Sequence, residues 1–126
     1  MTKSIHSNRY IISNNSQQHL INIGFRKHIN TDTEEYRYNF TVMKYDNLTA
    51  LRGRITVYTD TKDIKIDVMD NNYGTYSPFY NVEYGNYDVI LKKINKTILA
   101  EFKKLGIIEY KNKNKNEKEN KTNGNN

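Results

Sequence analysis

The stretch LRGRITVYTDTKDIKIDVM, residues 51–69, decides the fold. Leu51, Gly53, Ile55 and Val57 alternate with Arg52, Arg54, Thr56 and Tyr58. After Asp60-Thr61-Lys62, Ile64, Ile66 and Val68 alternate with Lys65 and Asp67. A period of two sends successive side chains to opposite faces, so each run reads as a strand with one buried and one solvated face. The spacing predicts strands over 51–59 and 63–69, and the short turn between them makes them antiparallel neighbours.

Working outward, the same pattern recurs upstream. Tyr36, Tyr38, Phe40 and Val42 alternate with Arg37, Asn39 and Thr41, which predicts a strand over 35–45 closed by a turn at Asp46-Asn47. Ile21, Ile23 and Phe25 alternate with Asn22, Gly24 and Arg26, which predicts a first strand over 19–28 and a turn at Asn30-Thr31-Asp32-Thr33. Residues 1–18 are polar apart from Tyr10-Ile11-Ile12 and read as a flexible N-terminal arm with a short strand at 9–12. Downstream the period changes. Tyr87, Ile90, Leu91, Ile94, Ile98, Phe102 and Leu105 recur at three- and four-residue spacing, which predicts an amphipathic helix near 87–105. Asn86 or Asp88 can cap its start, Gly106 suits a left-handed C-terminal cap, and Lys103 and Lys104 complement the helix dipole. Ile107-Ile108 adds a short edge strand or lies under the sheet. The expected fold is α+β: an antiparallel four-stranded meander sheet packed by one C-terminal amphipathic helix, in a single domain over 19–110. Residues 111–126, KNKNKNEKENKTNGNN, hold no apolar side chain and are expected to form a disordered tail.

Composition narrows the classes. A chain of 126 residues fits one domain. Cysteine is absent, which removes disulfides and thiolate metal sites. The first residues lack the continuous apolar stretch of a secretory signal, and no run reaches the roughly 20 apolar residues of a membrane span. The expected location is the cytoplasm of a bacterial host cell. The net charge is +6, but the tail alone holds five Lys and two Glu, half of that excess. Abundant Lys and Asn also follow from AT-rich coding DNA. Tyrosine is the more unusual feature, with 11 Tyr, 4 Phe and no Trp. Tyr offers apolar area with a polar tip, which suits both half-buried strands and binding surfaces.

Catalytic patterns are sparse. His6, His19 and His28 lack the spacing of a metal pair, and the glycines at 53, 74, 85 and 106 form no phosphate loop. Asp63-Ile64-Lys65 has the D-x-K form of metal-dependent nucleases, with Asp46 or Asp60 as a second ligand. Charge alternation on a solvent face produces the same tripeptide. Asp70-Asn71-Asn72-Tyr73-Gly74 fails as a calcium loop because the Gly comes early and no closing Glu follows. No catalytic residue, metal ligand or cofactor site is assigned, and the chain reads as a non-enzyme.

Two groups suit binding instead. Lys92, Lys96 and Lys103 fall within a narrow arc of the helix, with Lys93 and Lys104 beside it, while Arg52 and Arg54 share the outer sheet face. Such cations can grip phosphates without reading sequence, or can simply form solvated surface. The 17-residue stretch 70–86 exceeds the usual connection of about 4–6 residues and crowds in Tyr73, Tyr76, Phe79, Tyr80 and Tyr84. The pattern Tyr73-Gly74-Thr75-Tyr76 returns as Tyr84-Gly85-Asn86-Tyr87. These aromatics either anchor a protein partner or stack on unpaired bases, or they fold back as a second small core.

Residues 51–106, LRGRITVYTDTKDIKIDVMDNNYGTYSPFYNVEYGNYDVILKKINKTILAEFKKLG, combine a meander, a helix and a Lys/Asn/Tyr-heavy alphabet. In this style the chain resembles the small anti-CRISPR proteins of phages and prophages, which disable RNA-guided nucleases. That class has no defining motif, so no site residue transfers from it. The resemblance implies a non-catalytic inhibitor that binds a nuclease surface, its guide RNA or the surroundings of its target groove; the basic charge argues against simple duplex mimicry. The alternatives are a direct single-stranded nucleic-acid-binding protein and, more remotely, a small metal-dependent nuclease.

Overall fold

A computed structural model of the chain describes residues 5, 9–29, 32–80 and 88–110. The elements run β1 (Arg9–Ile12), α1 (Gln17–Asn22), β2 (Arg26–Ile29), β3 (Glu34–Tyr45), β4 (Leu48–Tyr58), β5 (Ile64–Asp70), α2 (Ser77–Tyr80), α3 (Asp88–Leu105) and β6 (Ile107–Tyr110). Strands β2 to β5 form one antiparallel sheet in sequence order, and α3 covers one of its faces. The architecture is therefore α+β, helix on sheet.

The period-two residues meet in rows across the strands. Tyr36, Val57 and Ile64 form one row, Tyr38, Ile55 and Ile66 the next, and Phe40, Gly53 and Val68 the third. All three rows lie on the side of α3, where Leu91, Ile94 and Ile98 are fully buried. Burying each such aliphatic side chain contributes about 1.5–3 kcal/mol, which makes this seam the main source of stability. A polar clasp joins the layers: the Tyr38 hydroxyl donates to Glu101 at 2.8 Å. Gly53 makes room for an aromatic ring, since a Cβ there would lie 2.5 Å from the tip of Phe40. The helix ends where its sequence says it should. Gly106 has φ +79, and its amide donates to Lys103 O at 3.4 Å.

The strand expected over 19–28 is corrected: only Arg26–Ile29 is extended, and Gln17–Asn22 is helical. The Ser16 side chain caps that helix by accepting from the His19 amide at 3.3 Å. Leu20 and Phe25 are buried, whereas Ile21 of the expected apolar set is exposed. Gly24, at φ +110, ends the helix and lets the Phe25 amide reach Leu20 O at 2.9 Å. Six residues make fewer than two turns. So short a segment shows no helical period, and the chance alternation of three apolar residues imitated a strand.

Strand β1, at the position expected for a short strand, pairs with β6 in a separate two-stranded sheet, Tyr10 opposite Glu109 and Ile12 opposite Ile107. Tyr10 is buried there, its ring 4.6 Å from that of Phe102. The stretch after β5 is more structured than a loop. The Tyr76 amide donates to Val68 O at 3.0 Å, and α2 then turns Phe79 inward. The expected caps Asn86 and Asp88, and the core role of Tyr87, lie outside the described residues and side chains. Among the described residues, no helix is long and apolar enough to cross a membrane.

Candidate functional site

Because alternate residues of a strand face opposite ways, the rows buried under α3 dictate what the outer sheet face displays. Arg26 lies opposite Arg37, which lies opposite Thr56 and then Lys65. The next row is Asn39, Arg54 and Asp67; the next is Thr41, Arg52 and Met69. Four arginines thus form an oblique line across β2, β3 and β4, from Arg26 through Arg37 and Arg54 to Arg52. Neighbouring strands are about 4.8 Å apart, so the line is short enough to meet consecutive phosphates of one strand of nucleic acid.

The arginines differ in their partners. Arg37 donates twice to Glu35 Oε1, at 3.3 Å from Nε and 3.1 Å from Nη2, while Thr33 donates to Oε2 at 2.9 Å. Burial alone would raise the Glu35 pKa; the hydrogen bonds from Thr33 and Arg37, with the guanidinium charge, outweigh it and hold the carboxyl below its ordinary value. Lys65 pairs with Asp67 at 3.9 Å. By contrast, Arg26, Arg52 and Arg54 have no carboxylate within 4.0 Å among the described residues. Arg54 is steered by a neutral group, its Nε donating to Asn39 Oδ1 at 3.0 Å. Arg52 lies over the Tyr73 ring, 4.9 Å from the centroid, and its Nε is buried without a hydrogen-bond partner among the described residues. Asn39, Thr41, Arg52, Arg54, Met69 and Tyr73 border a shallow cavity of about 240 Å³.

The aromatic stretch divides. Tyr73 is exposed and stands beside the arginines. Tyr76 is half-buried against the core. Phe79 has no exposed surface and belongs to the core, which corrects its expected place on a partner-binding surface. Tyr80 is also structural: its hydroxyl accepts from the Val68 amide at 3.0 Å and donates to Asp67 at 3.1 Å. Burial pushes that hydroxyl up to about 12, the Asp67 charge adding to the rise and the Val68 hydrogen bond opposing it. Tyr84 lies outside the described residues.

The two basic groups are also separated. Lys92, Lys96 and Lys103 are exposed on the face of α3 turned away from the sheet, so the domain stands between them and Arg52 and Arg54. One nucleic-acid strand cannot lie across both without wrapping the molecule. Asp46 lies in the turn before β4, whereas Asp60 and Asp63 share the connection after it; among the described residues no three His, Asp or Glu side chains are grouped to hold a metal. Arg26, Arg37 and Asn39 join the site although the sequence did not single them out. For Arg37 and Asn39 the signal was parity, since each alternates with aromatic residues and therefore shares the solvent face; Arg26 opens a strand exposed throughout and joins them only through its register opposite Arg37.

No protein-family model matches the chain, and no curated protein matches it. Among solved structures it is similar to a DUF1831-family protein from Lactobacillus plantarum, with a TM-score of 0.52 and 12% sequence identity. The likeness covers 87% of this chain and 94% of that one. At such identity it concerns the fold alone.

Proposed function

We propose that this chain is a non-catalytic binding protein that engages nucleic acid through the outer face of its sheet. The observation that carries the reading is the set Arg26, Arg52 and Arg54, three guanidinium groups without carboxylate partners among the described residues, two of them oriented by Asn39 and Tyr73. Guanidinium groups fixed on a sheet face meet phosphate oxygens bidentately and lose little side-chain entropy in doing so. An anti-CRISPR-type inhibitor of phage or prophage origin, acting in the cytoplasm of a bacterial host, is the narrower form of this proposal. It would place the guide RNA or the ribonucleoprotein of an RNA-guided nuclease on the same face.

Titration of single-stranded RNA and DNA with the purified protein at two salt concentrations tests the reading. Three neutralised phosphates give a log–log salt slope near −2, or about a 20-fold loss of affinity between about 50 and 200 mM salt. Absent binding, or binding that ignores salt, would remove it. Adding the protein to a cleavage reaction of its host's RNA-guided nuclease tests the narrower form, which predicts inhibition.

A further inference from the structure

Tyr73 occupies a backbone position that ordinarily excludes it. Its φ is +68, in the left-handed region that disfavours bulky side chains. Gly74, which would accept that conformation freely, is the next residue. The surrounding turn over-determines the strained geometry. Asp70 Oδ1 accepts from the amides of Asn72 and Gly74, each at 2.8 Å. The Asp70 amide donates to Gly74 O at 2.7 Å, and the Tyr73 amide donates to Asp70 O at 3.0 Å. Four hydrogen bonds therefore hold an aromatic ring, 61% exposed, at the rim of the arginine face. Strain maintained by this many contacts points to a use for the side chain.

The geometry of the ring indicates the use. The Arg52 guanidinium lies against one face of it, and the exposure of Tyr73 leaves the other open to solvent. Beside it lies the cavity of about 240 Å³ bordered by Asn39, Thr41 and Arg54. This is smaller than the roughly 300–1,000 Å³ of pockets for drug-sized ligands. We infer that Tyr73, Arg52 and Arg54 form a subsite for one unpaired nucleotide, the base stacking on the open face of Tyr73 and the adjoining phosphate meeting the two arginines. The inference rests on the nucleic-acid reading and adds a choice of strand state. Bases in a duplex are already stacked on their neighbours, so only a single strand can lend one to Tyr73. Cation–π contact with Arg52 holds the ring from its other side.

The experiment compares oligouridine, the same backbone without bases, and a duplex of equal length, each titrated against the full chain and its variants. Wild type is expected to prefer oligouridine over the abasic strand and the duplex by about 5- to 150-fold, the range for one base–aromatic stack. Tyr73→Phe retains that preference. Tyr73→Asn, a residue that tolerates the left-handed backbone, abolishes that preference, so that oligouridine and the abasic strand bind it equally. Because the ligand comparison uses wild type alone, it stands even if Tyr73→Asn lowers the melting temperature. Equal, salt-sensitive binding of all three ligands would overturn the subsite and leave the nucleic-acid face intact. Failure of wild type to bind any of them would overturn both.

Discussion

The arginines of the sheet and the lysines of α3 carry the same charge on opposite sides of one domain, yet they are built differently. Arg52 and Arg54 rise from successive outward-facing positions of β4, in neighbouring rows of the sheet, where pairing with β3 and β5 on both sides holds the backbone. A ring and an amide then limit the guanidinium groups themselves. Lys92, Lys96 and Lys103 project from a helix surface that also exposes Val89 and Leu99. Each long side chain there loses up to about 2 kcal/mol of rotamer freedom when fixed on a partner. A sequence count scores the two surfaces alike. The difference lies in preorganisation, which decides how much of the Coulomb attraction survives as binding.

That contrast is open to direct attack. The largest expected effect comes from Arg52→Ala combined with Arg54→Ala, which lowers affinity for single-stranded nucleic acid by more than about tenfold and reduces the magnitude of the salt slope by about 1.4. Lys92→Ala, Lys96→Ala and Lys103→Ala together leave the slope nearly unchanged. The reverse result in the two titrations would transfer the interface to the helix. Gly53→Ala tests whether the arginines depend on the sheet beneath them. The added methyl meets the Phe40 ring, so a chemical denaturation series should show a loss of about 1–3 kcal/mol. An unchanged unfolding midpoint would mean that the ring moves aside freely and that β4 is less constrained than described. The smallest effect sharpens the comparison from within. Glu35→Gln removes the carboxylate that holds Arg37, with a cost near neutral pH of about 1 kcal/mol. Since the Glu35 pKa is lowered in the folded chain, its contribution is present above the unfolded carboxylate pKa and fades as pH falls through the folded one. Wild type and variant should therefore converge in acid, and a gap that persists at low pH would show that charge is not the cause.

Much of this fold was legible in the residues. The alternation in β3, β4 and β5 runs long enough to exclude chance, and the helical period of α3 persists to a glycine that takes the left-handed cap. Shorter signals failed for physical reasons. The Ser16 cap and two glutamines outweighed three alternating apolar residues at 21–25, because local hydrogen bonding fixes a single turn before any periodicity can show. The site was half legible. Parity put Arg52 and Arg54 outside, but the line from Arg26 to Arg52 depends on register, and β3 carries irregularities between Thr41 and Lys44 that no residue pattern announces. Nor does composition separate Tyr73 from Phe79. Six positions apart in one aromatic stretch, one is held out by an Asp70-centred turn and the other is carried into the core by α2.

The small sheet of β1 and β6 has a consequence for the order in which the chain assembles. Its innermost pair joins Ile12 to Ile107, so every residue of the main sheet and of α3 lies within the loop that this pairing closes. The entropy of closing so long a loop is lost before the contact repays it. Once β2 to β5 and α3 are in place, that loop is already short in space, and Tyr10 needs only to find Phe102. The clasp of the two ends is thus the last structure expected to form during folding and the first to open, and the amides of Arg9–Ile12 should exchange with solvent ahead of those in β4.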